Sequence, residues 1–157
     1  MSAQELFLTL PIPPSINHQY ATVNGRRILS SKGRHYKTTV AQLIMSTLTS
    51  SSLRSVLLEN LHTHTLTLSV WFYFTSALRR DIDGGLKIAQ DAICNAMEIN
   101  DNRITTLHLY KAIDKDSPRM ECALSIVQSS PLSRQKRKTA QRQSSQPSHF
   151  PFHRTRQ

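Results

Sequence analysis

The hydrophobic period changes twice between His64 and Ile113, and that change constrains the fold more than any other feature of the chain. Residues 64–74, HTLTLSVWFYF, are dense in β-branched and aromatic side chains and read as a central strand buried on both faces. From about Asp83 to Met97 the period becomes helical, with Leu86, Ala89, Ile93 and Met97 on one face. RITTLHLYKAI from Arg103 and RMECALSIVQ from Arg119 read as two further strands, separated by the polar turn DKDSP. A strand, a helix and a strand in succession allow parallel pairing across the helix, and the last two strands are expected to form a hairpin. Upstream, Leu6–Leu10 alternates as a strand and runs into Pro11, Pro13 and Pro14. SINHQYATVNGRRILS follows as a hairpin or irregular loop around Asn24-Gly25. Ser31 can cap a helix from about Lys32 to Thr47, striped by Tyr36, Val40, Leu43 and Ile44, and SSSLRSVLLEN reads as a linker that can carry a short turn of helix. The predicted order is β-loop-α-β-α-β-β. It is an α+β fold, a mixed sheet with two main helices packed on it.

Charge divides the chain. Of 20 Lys and Arg, seven lie in residues 128–157, which hold no acid; residues 1–127 keep 13 basic against 10 acidic side chains. The division predicts a folded domain over 1–127 and a disordered basic Ser/Gln-rich tail over 128–157. A formal charge of +10 points to a polyanionic partner, nucleic acid or an anionic membrane surface. No apolar run reaches the roughly 20 residues of a membrane span, and the N-terminus lacks a signal-peptide pattern, so the protein reads as soluble and cytosolic. Cys94 and Cys122 are too few for a zinc or disulfide framework and read as reduced core thiols. His62 and His64 are expected to alternate on a strand, without the further ligands that zinc needs.

Against that basic background, the acids gather in RRDIDGGLKIAQDAICNAMEIND, Arg79–Asp101. The plain structural reading makes Asp83 a helix cap, Asp83–Lys87–Asp91 an i, i+4 ladder, and Asp101-Asn102 a turn. It leaves Asp81 without a purpose. The functional reading gives the carboxylates a hard divalent cation to hold and brings phosphate to it on basic residues. Lys87 can offset charge developing on a phosphate, and Arg79, Arg80 and Arg103 can hold flanking phosphates. Asp101, which leads into the next strand, is placed to return to the same end of the sheet as Asp81. A calcium EF-hand is excluded, because Leu86 and Ala92 stand where its Gly and Glu belong. In the N-terminal loop, Asn17, His18, Arg26 and Arg27 are free to contact phosphates, as are Lys32 and Arg34 beyond it. Arg134, Lys136, Arg137 and Lys138 in the tail can add sequence-blind affinity for DNA.

In order along the chain, LPIPPSIN, SSKGRHY, RRDIDGGLK with Asp91, and NDNRI resemble the RusA family of Holliday-junction resolvases over most of residues 5–127. The resemblance implies a homodimeric, Mg²⁺-dependent endonuclease, with Mn²⁺ able to substitute, that nicks four-way DNA junctions symmetrically in recombination and repair. It implies a cytoplasmic, nucleoid-associated protein in a bacterial or prophage setting. By position, Asp81, Asp83 and Asp101 match the family's metal-binding acids, Asp91 a further helix acid, and Lys87 the essential lysine. Two positions depart: Gly84 stands where the family usually has Asn, and Asn100 stands for the first acid of an Asp-Asp pair. An alignment without a gap upstream instead matches Asn102 to the catalytic acid. The alternative to an enzyme is a non-enzymatic junction or duplex binder, its acidic site degenerate after the changes at Gly84 and Asn100.

Overall fold

The computed structural model describes residues 4–49, 54–77 and 81–127. Arg79, Arg80 and the whole of the basic tail, with Arg134, Lys136, Arg137 and Lys138, lie outside the described residues. The elements in chain order are β1 (Glu5–Leu10), α1 (Ile16–Gln19), β2 (Tyr20–Val23), β3 (Arg26–Leu29), α2 (Ser31–Thr49) and α3 (Arg54–Thr63). They continue with β4 (Leu66–Phe74), α4 (Leu86–Ala96), a 3-10 turn (Asp101–Arg103), β5 (Ile104–Ile113) and β6 (Arg119–Ile126). The result is the expected α+β fold with a mixed sheet, carrying a ten-residue helix α3 where a linker with at most a short turn of helix was expected.

The main sheet has the order β1-β6-β4-β5. β4 and β5 run parallel, starting at Leu66 opposite Ile104, while β6 is antiparallel to both β4 and β1. The predicted β5–β6 hairpin is therefore wrong, because β4 lies between those two strands. The connecting segment crosses the end of β4, where the Asp114 N–H donates to the Phe74 carbonyl at 2.8 Å. Local turn chemistry cannot distinguish a hairpin from this longer step.

Alternation along β1 and β4 explains why the helices pack on one face only. Leu6, Leu8, Leu10, Leu66, Leu68, Val70, Phe72, Met120, Cys122 and Leu124 point inward and are buried. Tyr36, Val40, Ile44 and Leu48 of α2, Leu57 and Leu61 of α3, and Ile88, Ala92 and Ile93 of α4 complete that core. Losing one such aliphatic side chain to alanine costs about 2–5 kcal/mol. The opposite face is open. There Trp71 stacks on Tyr110 with centroids 5.2 Å apart, and Phe7 is exposed. WFYF is thus buried on one face, not both. Leu43, expected in the α2 stripe, is exposed as well.

Helix starts also shift. Ser30, not Ser31, caps α2: its Oγ accepts from the Gly33 N–H at 3.0 Å. His62 lies on α3 and His64 just beyond it, not on a strand, and the His62 ring nitrogen pairs with the Met97 carbonyl at 2.9 Å. Cys94 and Cys122 are free and buried, and burial pushes their thiols up to about 11 and about 12.

Candidate active site

Two clusters of polar groups lie along α4. The first is built where the proline-rich loop after β1 meets the turn that precedes α4. A cleft of about 530 Å³ opens there, with Asn17 and His18 on one wall, Asp81, Gly84 and Gly85 on the other, and Phe72 and Phe74 among its lining. The two walls are joined by Gln19, which is 2% exposed. Its Nε2 donates to the Pro14 carbonyl at 2.9 Å and to the Gly84 carbonyl at 3.2 Å. Gly85 completes the junction, since a Cβ at that position would stand 2.4 Å from Pro13 Cγ. The glycine is needed for close approach to the proline, a partner within the chain.

Asp83 is not the helix cap. The turn Ile82–Gly85 intervenes, α4 begins at Leu86 after Gly85, and the Leu86 N–H donates to the Asp83 carbonyl at 2.9 Å. Asp81 and Asp83 are both exposed, which leaves their carboxylates available to a ligand.

The second cluster centres on Lys87, one turn past Asp83. Its Nζ lies 2.7 Å from Asp91 Oδ1 and 3.4 Å from Asp101 Oδ2. The bond to Asp91, and then the charges of Asp91 and Asp101, hold the Lys87 ammonium above its ordinary value. The i, i+4 ladder thus exists between Lys87 and Asp91, as expected. Asp101 is positioned by its own 3-10 turn, capped by Asn100, whose Oδ1 accepts from the Asn102 N–H at 3.1 Å. Asn100 therefore has a structural task where the sequence comparison leaves an acid missing.

The structure brings Lys87, Asp91 and Asp101 together. It places Asp81 in the cleft with Asn17 and His18. It does not gather Asp81, Asp83 and Asp101 into one cluster, and among the described residues no three His, Cys, Asp or Glu side chains converge to hold a metal. The parallel pairing of β4 and β5 is the reason. Asp101 precedes the strand that starts beside Leu66, whereas Asp81 follows the opposite end of β4, near Phe72 and Phe74. The expected return of Asp101 to the same end of the sheet does not occur. The donors do suit a hard divalent cation, because such an ion takes one or two carboxylates and completes its shell with water and phosphate oxygens.

The basic candidates divide as well. Lys32 is exposed at the start of α2, and Arg26 and Arg27 are exposed on the β2–β3 hairpin, where Arg27 stacks over Tyr20 at 4.3 Å. Arg34 donates to the Leu29 carbonyl at 2.6 Å and so braces the hairpin root. Arg103 donates to the His64 carbonyl at 3.3 Å, a bond that ties the start of β5 to the segment before β4. Gln19 was not visible as a site residue in the sequence. A lone loop glutamine carries no periodicity, and its partner Gly84 lies 65 positions away.

A basic α+β domain that sets exposed carboxylates at a cleft, and a positioned lysine on the helix that follows, with exposed cations on a neighbouring hairpin, has the parts of a phosphodiester-cutting nuclease. The family model of endodeoxyribonuclease RusA matches residues 11–125. The chain belongs to that family, and is accordingly a Holliday-junction endodeoxyribonuclease, of a kind of nuclease that generally uses a divalent metal. No curated protein matches the chain. Among solved structures, a 2C-methyl-D-erythritol 2,4-cyclodiphosphate synthase from Plasmodium vivax is similar at 11% identity and TM-score 0.27, over 78% of this chain and 92% of that one. A second 2C-methyl-D-erythritol-2,4-cyclodiphosphate synthase, in a CDP-bound form, is similar at 11% identity and TM-score 0.27, over 79% and 96%. Among the described residues, no helix is long and apolar enough to cross a membrane.

Proposed function

We propose that the chain resolves four-way DNA junctions with Mg²⁺ as its metal, by paired symmetric nicks during recombination and repair, and that it acts as a homodimer. Mn²⁺ is expected to substitute. The observation that carries this reading is the Asp81–Asp83 turn fastened through Gln19 to the Asn17–His18 loop, with Lys87 held one turn beyond. Asp81 and Asp83 supply the protein oxygens for the metal. A bound divalent cation makes water a nucleophile at neutral pH and offsets charge on the phosphate. Lys87, held by Asp91 and Asp101, would offset charge developing on the phosphate. Asn17, His18, Arg26, Arg27 and Lys32 position the DNA backbone, as do Arg79, Arg80 and the tail cations. Dimerisation is supported by the two-fold symmetry of the substrate, which an isologous pair of subunits would match.

The test is cleavage of a labelled mobile four-way junction, with and without Mg²⁺, with binding followed on the same samples. Wild type is expected to make paired, ligatable nicks only with metal. Asp83→Asn should bind and fail to cut, and Asp101→Asn, which loosens Lys87, should bind and cut more slowly. Lys87→Met should cut about a hundredfold more slowly, the scale of one lost charge-stabilising donor. Wild-type protein that binds the junction without cutting it in Mg²⁺ or Mn²⁺ overturns the reading.

A further inference from the structure

The β2–β3 hairpin stands apart from the main sheet, and its face is amphipathic in an unusual direction. Every residue from Ala21 to Ile28 is exposed. The register pairs Ala21 with Ile28 and Val23 with Arg26, so Ala21, Val23 and Ile28 share one side with Arg26, which stands at its turn end. Val23 is 47% and Ile28 42% exposed there. The other side is occupied by its own chemistry, Arg27 lying over Tyr20. A short hairpin that exposes apolar side chains beside an arginine needs stiffening, and this one has it. Asn24 and Gly25 both take positive φ, 50° and 74°, the geometry of a tight type I′ turn. At the root, the Ser30 N–H donates to the Gln19 carbonyl at 2.9 Å, and Ser30 Oγ donates to the His18 carbonyl at 2.6 Å. Since Gln19 also bonds the Gly84 carbonyl, the hairpin is fixed in position relative to the Asp81–Asp83 turn.

Charge identifies what meets this surface. Residues 6–58 contain six Lys and Arg and no acid. A second copy docking by the same patch would set its own Arg26 and Arg27 against these arginines, with no carboxylate from this stretch to offset them. DNA brings the opposite charge and, at a branch point, base faces that have lost a stacking neighbour. Apolar side chains inserted at such steps stabilise the opened form.

We propose that the Ala21–Val23–Ile28 side of the hairpin is a wedge that packs against unstacked bases at the branch point, while Arg26 at its turn end and Arg27 on the opposite face hold phosphates. This rests on the reading of the protein as a branched-DNA nuclease. It adds the element that recognises the branch and sets its distance from the carboxylates.

The test uses the full chain and an immobile four-way junction carrying 2-aminopurine at the branch point, with a linear duplex of the same sequence as reference. Binding is run in Ca²⁺ to prevent cutting. Wild type should raise the branch-point fluorescence. The Val23→Thr/Ile28→Thr variant keeps two β-branched residues and an unaltered core, so its melting temperature should match wild type. It should lose the fluorescence rise, and its junction-over-duplex preference should fall about tenfold, while duplex affinity stays within a factor of two or so. A variant that keeps the rise, or one that changes sedimentation instead of fluorescence, overturns the wedge; the second result would make the face a contact between copies. If wild type itself binds junction and duplex equally, the branched-DNA reading falls and the wedge falls with it.

Discussion

Gly84 and Gly85 are adjacent and identical, yet their surroundings differ. A Cβ on Gly84 would meet only the Asp81 carbonyl, at an ordinary 3.4 Å, whereas one on Gly85 would press into the Pro13 ring at 2.4 Å. Gly84→Ala is therefore expected to hold or raise stability by about 0.4–1 kcal/mol, through the unfolded chain. Gly85→Ala should lower it by about 1–3 kcal/mol, as overpacking against a stiff ring does. Urea denaturation of the two variants checks the contrast, and equal effects would show that Pro13 does not constrain the turn. The Lys87–Asp91 pair was legible in the sequence because i, i+4 spacing on an amphipathic helix fixes which groups can meet. What holds the Asp81–Asp83 turn before that helix was not. The Gln19 amide and the Pro13–Gly85 contact join segments far apart in sequence, and no local pattern reports such a contact.

Elements built on period were read correctly and elements built on connection were not. α4 and the alternating strands β1 and β4 follow from side-chain spacing alone, and Asn24-Gly25 announced the small hairpin through its backbone requirement. The placement of β6 beyond β4 depends on how the segment after β5 is fastened. That segment is a local structure of some strength. Asp114 Oδ1 accepts from the Asp116 and Ser117 N–H groups at 3.2 and 3.0 Å, and Arg119 donates to Asp114 Oδ2 at 2.6 Å and to Glu121 Oε1 at 2.7 Å. The Arg119 guanidinium also covers the Tyr73 ring, at 4.1 Å. The bond from Arg119, and then that from the Ser117 N–H, hold the Asp114 carboxyl below the usual carboxylate range. A folded value below the unfolded one means that the contribution is complete above the ordinary carboxylate pKa. It is lost as pH falls through the lowered value. An NMR titration should place Asp114 below an ordinary aspartate, and Arg119→Gln should return it toward that range. The stability gap between wild type and the variant should narrow on acidification, and a gap that widens would contradict the assignment.

Across the whole molecule, charge is sorted by sequence region. Residues 6–58 hold six basic side chains and no acid, while residues 59–127 hold seven basic and nine acidic ones. The fold joins these two regions at the cleft, where Asn17 and His18 of the first face Asp81 of the second. A polyanion held by the basic loop and hairpin would meet Asp81 at this cleft. This arrangement separates two roles that a uniformly basic protein would confuse. The hairpin arginines set affinity and its salt dependence, whereas carboxylates set chemistry and should leave that dependence nearly untouched. Each phosphate contact contributes about 0.9 to the slope of log K against log salt on duplex DNA. Arg26→Gln/Arg27→Gln should therefore flatten the slope by about 2, measured by fluorescence anisotropy from about 50 to 200 mM salt. Because phosphate contacts carry no information about branching, junction and duplex should weaken together and their ratio should stay constant. An unchanged slope would mean that these arginines do not reach phosphate. A falling ratio would mean that they, and not the apolar side of the hairpin, read the branch.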